Sequence, residues 1–360
     1  MVAMKREGFP DAAAMSVRPV PNPTAWEACR VTQAGATAFH RWEWLRIMAR
    51  ALDKHLLPLG FYQAGALVGL APLLVRHYGP LKSASWAPLP YLGPLVPGAL
   101  LPEALRALDG YQRRNGIGLL RLGFAPDADV DPVTLERAGF DLCGDTTMVL
   151  PLADRTEEQL LAALKYQRRQ NIRRARDADV VVAPATEREM AEELPAIMRD
   201  VFASRDQPPP YPAAAPALVW ARYHDDPTVH MTVARYDGRT AAALVTVIDR
   251  DRAYMWMGGS LACYRNVNPN ALLYWDAICW ARAQGCASLD MVATPDAGIA
   301  RFKAGFGCVE KPYIHAVRDT SQAVTWARQA HGTVLSLRQR LTARTAPSNA
   351  AGPRPQSDTA

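Results

Sequence analysis

The sequence predicts an α/β protein of two tandem repeats, each a mixed β-sheet flanked by helices. Three landmarks occur in the same order in both halves of the chain, at nearly constant spacing. The first is an apolar strand, a glycine turn and a second apolar strand, centred on Gly65 in residues 60–75 and on Gly238 in residues 233–248. This pattern is typical of a β-hairpin.

The second landmark is a helix with its following strand, and the third is a short glycine motif. The helical segment that ends at Gly116 reappears as the segment that ends at Gly285, and glycine readily takes the left-handed conformation that closes a helix. The motif L-E-R-A-G-F (135–140) reappears as R-F-K-A-G-F (301–306). The shared order favours a duplicated module. The alternative is that such patterns recur in unrelated α/β proteins.

The length of 360 residues suits two domains. Residues 22–150 are predicted to form the first domain, and residues 151–317 the second, which carries the site. Residues 318–342 are predicted to form a helix that packs back on the first domain. Residues 1–21 and 343–360 are rich in Pro, Ala, Ser and Gly without periodicity, so we expect a mobile N-terminal tail and a disordered C-terminal tail.

Composition narrows the class of protein. The apolar fraction of 49% and the charged fraction of 21% are those of a soluble globular chain. The net charge of +6 suits an anionic partner, although a mildly basic surface explains it equally well. Six cysteines without a C-x-x-C pair, and no secretory signal, predict a reduced cytoplasmic location. Seven scattered histidines lack metal-ligand spacing, so no metal is predicted.

One stretch, residues 56–75, contains no charged side chain. Prolines and glycines interrupt it repeatedly, which is natural in a hairpin and unusual in a helix that spans a membrane. We therefore predict two buried strands and no integral membrane segment.

The order of hairpin, strand, helix and strand within each repeat is that of the GNAT acyltransferase fold. In coenzyme-A users of this fold, a Q/R-x-x-G-x-G/A loop holds the donor pyrophosphate with free backbone N–H groups at the start of a helix. Here the corresponding residues read R-N-V-N-P-N-A (265–271). Asparagine tolerates the left-handed conformation, but Pro269 lacks an N–H donor. The alternative is that Pro269 or Asn270 serves only to start the helix.

Four segments resemble the FemAB-like branch of the GNAT superfamily: K-Y-Q-R-R-Q-N-I-R-R-A-R-D-A-D-V-V-V (165–182), N-A-L-L-Y-W-D-A-I-C-W-A-R-A-Q-G (270–285), the strand S-L-D-M, and G-I-A-R-F-K-A-G-F-G (298–307). This branch consists of tandem-GNAT transferases that add amino acids to peptidoglycan precursors or small amines, using aminoacyl-tRNA. The resemblance covers most of residues 39–315, and it is specific only in the second half. It implies two tandem GNAT-like domains.

The resemblance also implies a site. A Phe-Lys pair in this family lines the channel where donor and acceptor meet, which corresponds to Phe302 and Lys303. Lys303 would then stabilise the developing oxyanion, whereas the alternative is an exposed lysine on a turn. Asp290, at the end of a strand, is a candidate to receive the proton of the attacking amine, or caps the following turn. At the position of Arg205, the family has an arginine that binds acceptor phosphates. In this chain a run of prolines follows, which departs from the family pattern.

Further residues are predicted to bind substrate or RNA. Candidates for the acceptor pocket and its surroundings are Tyr254, Trp256, Asn270 and Tyr274, although aromatic residues in strands and helices more often belong to the core. The basic helix 165–176 offers phosphate contacts through Arg168, Arg169 and Arg173. A solvated helix face is the alternative.

Three functions are consistent with these patterns. The first is an N-acyltransferase that moves an aminoacyl group from aminoacyl-tRNA to an amine acceptor. The second is an acyl-CoA-dependent N-acyltransferase, and the third is a binding protein that kept the fold and lost the chemistry. No cofactor is predicted, because the acyl donor is a co-substrate.

Overall fold

The computed structural model describes residues 14–78, 81–85, 88–292 and 297–320. The first repeat contains, in order, β1 (Ser16–Pro19), α1 (Pro23–Thr32), α2 (Trp42–Ala51), β2 (His55–Gln63), β3 (Ala66–Tyr78), β4 (Leu81–Ser85), α3 (Leu101–Arg114), β5 (Ile117–Phe124), α4 (Pro132–Arg137) and β6 (Asp141–Pro151).

The second repeat begins with two additional helices and then follows the order of the first. Its elements are α5 (Glu157–Ala163), α6 (Tyr166–Asp177), β7 (Val181–Pro184), α7 (Leu194–Ala203), α8 (Ala214–Tyr223), β8 (Val229–Tyr236), β9 (Arg239–Asp249), β10 (Arg252–Ser260), α9 (Pro269–Ala283), β11 (Ser288–Asp290), α10 (Ala297–Ala304) and β12 (Val309–Asp319). The duplicated order predicted from the sequence is therefore present.

All strands join one mixed sheet of 12 strands, in the order β1-β2-β3-β4-β5-β12-β6-β11-β10-β9-β8-β7. The repeats exchange their last strands. β12 lies beside β5 of the first repeat, whereas β6 pairs antiparallel with both β11 and β12. The residues up to Arg318 accordingly form one compact unit, and the predicted boundary near residue 150 falls at the end of an exchanged strand.

The glycine landmarks have the conformations that their turns require. The hairpin of β2 and β3 turns at Ala64 and Gly65, and that of β8 and β9 turns at Asp237 and Gly238, all four with positive φ. Two consecutive left-handed residues match the right-handed twist of the flanking strands. At the helix ends, Gly116 and Gly285 are also left-handed, as predicted.

Helices cover both faces of the sheet. In β9 the alternate residues Ala243, Val245 and Val247 belong to a core that contains residues of α1, α2, α7 and α8 from both repeats. On the opposite face, Leu244 and Ile248 belong to a core with α5, α6, α9 and α10. A third core lies between the first repeat's strands and its helices α3 and α4. Because both faces of the central strands are covered, their side chains are apolar almost throughout.

The structure covers only part of the two predicted terminal segments. The N-terminal tail was predicted to extend to residue 21, but Ser16–Pro19 pair antiparallel with β2, so this part is a strand. Its short polar sequence carries little apolar periodicity, which explains why the sequence did not indicate it. Residues 318 and 319 belong to β12. The remainder of the predicted helix 318–342 and the predicted tail 343–360 lie outside the described residues.

A buried ion cluster joins the two repeats. Asp249, with only 2% of its side chain exposed, accepts hydrogen bonds from Arg30 Nη1 at 2.9 and 3.0 Å and from Arg41 Nε at 3.2 Å. Arg250 Nε lies 3.4 Å from the same carboxylate. One buried acid of the second repeat thus compensates two arginines of the first.

Buried His40 makes stability depend on pH. Burial lowers the pKa of this imidazole to about 4, and the charges of Arg30 and Arg250 act in the same direction. Since the unfolded chain takes up a proton near pH 6.5 and the folded one does not, stability is lost as pH falls from about 6.5 to 4. We expect about 3 kcal/mol of loss over this range. In a His40→Gln variant, urea unfolding followed by fluorescence should lack this component; an unchanged pH profile would contradict it.

Candidate active site

The candidate site lies where β10 and β11 separate. The strands are parallel and pair only through Arg252 to Tyr254 and Ser288 to Asp290. β10 then continues to Ser260, and its ladder with β9 contains a bulge between Met255 and Met257. An opening between parallel strands, close to the start of a helix, is a usual place for a ligand in α/β sheets.

Asp290, the last residue of β11, is the centre of a buried polar cluster. Its side chain accepts hydrogen bonds from Tyr91 Oη at 2.8 Å, Thr147 Oγ1 at 2.5 Å and the Val292 backbone N–H at 2.7 Å. Burial raises the pKa of this carboxyl, while these bonds and the charge of Lys303 oppose the rise. Asp290 therefore does cap the turn after its strand, and it also connects three segments of the chain.

Lys303 lies in the same cluster, not on the surface. Its side chain extends from α10, the residue is only 5% exposed, and Nζ donates to the carbonyl oxygens of Met291, at 2.6 Å, and Val292. The alternative of an exposed lysine on a turn is wrong. An ammonium group held at the end of β11, beside the strand opening, is a fixed positive charge in a site with little water.

The start of α9 keeps the expected backbone but not the expected donors. Asn268 is left-handed with φ 53°, as predicted for an asparagine that replaces glycine, and Pro269 begins the helix. The Asn268 side chain donates to the Asn266 carbonyl at 3.0 Å. Asn171 of α6 also lies against this turn, with its side-chain amide 3.2 Å from that of Asn268. α6 therefore packs against the turn that precedes α9.

The F-K-A-G-F-G motif explains how α6 is held there. The Arg168 guanidinium lies 4.6 Å above the Phe302 ring, and a Cβ on Gly305 would come within 2.7 Å of the Arg168 stem. Gly307 is left-handed at φ 85°. Phe306 is buried and stacks on Tyr274 at 5.6 Å. Most of the motif is thus structural, and its Lys303 side chain reaches the carbonyls that follow β11.

The three predicted RNA contacts differ in their surroundings. Arg168 is half-buried under Phe302, and desolvation lowers its pKa. Arg169 Nη1 donates to the Ala162 carbonyl at 3.0 Å and to that of Leu164. Arg173 is exposed and lies 3.6 Å from Asp177 one helical turn away. Arg173 is therefore the one of these three whose charge lies fully on the surface.

The aromatic candidates belong mainly to cores. Tyr254 is 3% exposed and packs against Phe39, with ring centroids 5.5 Å apart. Trp256 is 5% exposed and contacts Trp44 edge-on at 4.9 Å. Tyr274 contacts Phe302 at 5.2 Å on the other face of the sheet. Contact of these rings with an acceptor stays a prediction.

The remaining candidates lie at the edges of the site. Asn270 is half-buried in the first turn of α9, and its Oδ1 has no partner within the described part of the chain. Arg205 follows α7, and its guanidinium lies 5.8 Å from the Phe202 ring. Asn270 therefore lies on the α9 face of the sheet, and Arg205 follows a helix on the opposite face.

A cavity of about 270 Å³ opens beside the β10 bulge. It lies between α7, α8 and their connection, and its walls are mainly apolar, with Met198, Tyr211 and Met257 among them. Arg199 lines the same cavity and is exposed. Tyr211 Oη donates to the Pro88 carbonyl at 2.9 Å, which ties this wall to the first repeat.

Comparison with known proteins identifies the architecture. Residues 162–304 match the family model described as an acetyltransferase (GNAT) domain. This match lies wholly within the second repeat. No curated protein sequence matches the chain.

Solved structures extend this result to both repeats. FemX aligns with a TM-score of 0.65 at 12% identity, over 83% of this chain and 96% of that one. The C-terminal domain of a putative lysylphosphatidylglycerol synthetase from Agrobacterium fabrum gives 0.53 at 14%, over 80% and 91%. A tandem GNAT protein from the clavulanic acid biosynthesis pathway, solved without AcCoA, gives 0.52 at 12%, over 85% and 99%. The predicted tandem GNAT fold, and the resemblance to FemAB-like structures at the level of the fold, are confirmed.

Two other features are absent from the part of the chain that the structure describes. No helix there is long and apolar enough to cross a membrane. No group of three or more His, Cys, Asp or Glu side chains there is placed to hold a metal ion.

Tyr91 and Thr147 were not found by sequence reasoning. Tyr91 is fully buried in the segment after β4, and burial and the Asp290 charge raise its pKa well above the usual range. Thr147 belongs to the exchanged strand β6. Each lies far from Asp290 in sequence, so no local pattern could have linked them to it.

Proposed function

We propose that this protein transfers an aminoacyl group from aminoacyl-tRNA to an amine acceptor. The observation that carries the proposal is the position of α6: it packs across the start of α9, where other GNAT proteins bind a pyrophosphate, and presents a basic face to solvent. The donor site of this GNAT domain is thereby suited to a long polyanion.

The exposed face of α6 supports an RNA contact. Its exposed basic side chains are Arg173, Arg174 and Arg176, with Lys165 directly before the helix. Tyr166, at the start of the helix, is 69% exposed. Clustered cations neutralise phosphates, and an exposed aromatic ring offers a stacking surface for an unpaired base.

The start of α9 argues against tight coenzyme-A binding. Pro269 removes one N–H donor, and the side chains of Asn268 and Asn171 contact each other beside the same turn. A pyrophosphate needs several convergent backbone N–H groups.

The transfer reaction requires little from the protein beyond a positive charge at a fixed position. The amine nitrogen adds to the ester carbonyl carbon, the carbon–nitrogen bond forms, and the bond to the ribose oxygen then breaks. The nitrogen loses a proton, and the ribose oxygen gains one. Lys303 would stabilise the oxyanion between these steps, and Asp290 would hold the end of β11 in place, with Tyr91 fixing its orientation.

The cavity beside the β10 bulge is the candidate acceptor site. It lies on the face of the sheet opposite α6, so an acceptor there would meet a donor carried on the α6 side through the strand opening. Its apolar walls and the Arg199 guanidinium favour an acceptor with an apolar part and an anionic group.

Neutralising the face of α6 tests the RNA contact. We expect Arg173→Gln, Arg174→Gln and Arg176→Gln together to weaken charged-tRNA binding at least about tenfold and to reduce the slope of log affinity against log salt by about 2. The matched control removes three exposed arginines of α3: Arg106, Arg113 and Arg114. Filter binding at several salt concentrations gives both quantities. Equal losses in the two triple variants would show that only net charge matters, which contradicts a contact at α6.

Acyl-CoA is the alternative donor, and one observation favours it. Asn268 keeps the left-handed backbone that a glycine would supply, so the turn itself is preserved. Calorimetric titration with acetyl-CoA decides this point. Saturable binding that is lost in an Asn268→Pro variant would support the alternative.

A further inference from the structure

The first repeat contains its own version of the strand opening. Leu70 of β3 forms an isolated bridge with Leu95, and the corresponding residue of β9, Ala243, pairs with Gly259 of β10. The segment around Leu95 therefore takes the place of the second half of β10. Between this segment and the end of β5 lies a cavity of about 410 Å³. Its size suits a small molecule.

In this cavity an acidic side chain occupies the place where the start of a helix would bind an anion. Asp129 Oδ2 accepts a hydrogen bond from the Gly98 backbone N–H at 3.1 Å, at the turn that leads into α3. A Cβ on Gly98 would lie 2.3 Å from the same oxygen, so a larger residue there would displace the exposed Asp129 carboxylate. A carboxylate at the start of a helix takes the place of a bound anion and repels another.

The other walls add no positive side chain. Of the lining residues that the structure describes, Asp129 alone carries a charge at neutral pH. His40 is neutral there, because burial lowers its pKa to about 4, and its Nε2 contacts the Gly93 carbonyl at 3.2 Å. Arg250 does not line the cavity, and its guanidinium donates to the backbone carbonyls of Gln33, at 3.3 Å, and Ala36, at 2.5 Å. The apolar part of the cavity lining includes Leu95, Val96, Phe124, Ala128 and Val130.

We propose that this cavity binds a small organic ammonium ion: a primary amine group against Asp129 and a short hydrocarbon body against the apolar wall. A carboxylate can accept several hydrogen bonds, so Asp129 can hold Gly98 and an ammonium group together. The site is separate from the strand opening of the second repeat, and its occupation does not depend on which donor the protein uses.

Binding of two probes of similar size and opposite charge tests the proposal. We expect n-butylammonium to bind saturably in calorimetric titration without any acyl donor, and butyrate not to bind. Asp129→Asn should weaken n-butylammonium at least about tenfold, because a charge-assisted bond is replaced by a neutral one. The control is Asp127→Asn, since Asp127 is paired with Arg252 at 2.9 Å and does not line the cavity.

A second variant separates binding from folding. Ala128→Leu fills the cavity and keeps the carboxylate, so it should abolish n-butylammonium binding while the unfolding temperature stays near that of the wild type. The proposal is overturned if n-butylammonium does not bind, if butyrate binds equally well, or if either Asp129→Asn or Ala128→Leu binds n-butylammonium with wild-type affinity.

Discussion

Replacing Lys303 with methionine should lower kcat for acyl transfer by about 10²- to 10³-fold, with little change in donor affinity. Methionine fills a similar volume and removes only the ammonium group. A fixed charge next to a developing oxyanion contributes this much when water is largely excluded. The measurement is steady-state kinetics at saturating donor, with donor affinity determined separately by filter binding.

Lys303 also tethers the end of β11, so the two roles must be separated. Loss of its bonds to the carbonyls of Met291 and Val292 should reduce the free energy of unfolding by about 1–3 kcal/mol. Lys311→Met, at an exposed position of β12, is the control and should leave both kinetics and stability unchanged. A Lys303→Met protein that is less stable but has the wild-type kcat in its folded fraction would contradict a catalytic role.

The Asp249→Asn variant should lose about 3–5 kcal/mol of unfolding free energy, the largest effect on stability that we predict. Asparagine keeps the volume but removes the negative charge that Arg41 contacts and one of the two carboxylates, with that of Glu27, that buried Arg30 contacts. Because these arginines belong to the first repeat, the loss should weaken the junction of the repeats. Chemical denaturation provides the measurement.

The control for this prediction is an acid of the same type on the surface. Asp225 is 91% exposed, and its contact is to His224. Asp225→Asn should change the unfolding free energy by less than about 0.5 kcal/mol. A similar small change in Asp249→Asn would mean that the buried cluster contributes little to the union of the repeats.

The sequence predicted most of the local structure because the signals were local. Left-handed backbone at Gly65, Gly238 and Asn268 follows from turn chemistry, and the duplicated order follows from apolar periodicity. The exchange of β6 and β12 could not be predicted in this way. The two strands occupy equivalent positions in their repeats, and only long-range pairing decides which neighbours each one has in the sheet.

The site was predictable to a lesser degree. Lys303 and Asp290 were identified, and the structure brings them together, but Tyr91, which donates to Asp290, lies in a segment after β4 that has no motif. For Tyr254 and Trp256, by contrast, the residue type alone does not distinguish a binding site from a core. Aromatic residues in a strand look alike in sequence whether the neighbouring space is a pocket or, as here, other aromatic rings.

The central claim is the identity of the donor, and one transfer assay addresses it most directly. Purified protein is incubated with a fixed panel of primary amines and either aminoacyl-tRNA or acetyl-CoA. Appearance of the labelled acyl group on the amine is followed for the wild type and Lys303→Met. We predict wild-type transfer from aminoacyl-tRNA alone, reduced at least about a hundredfold by Lys303→Met. Transfer from acetyl-CoA with none from aminoacyl-tRNA would contradict the account.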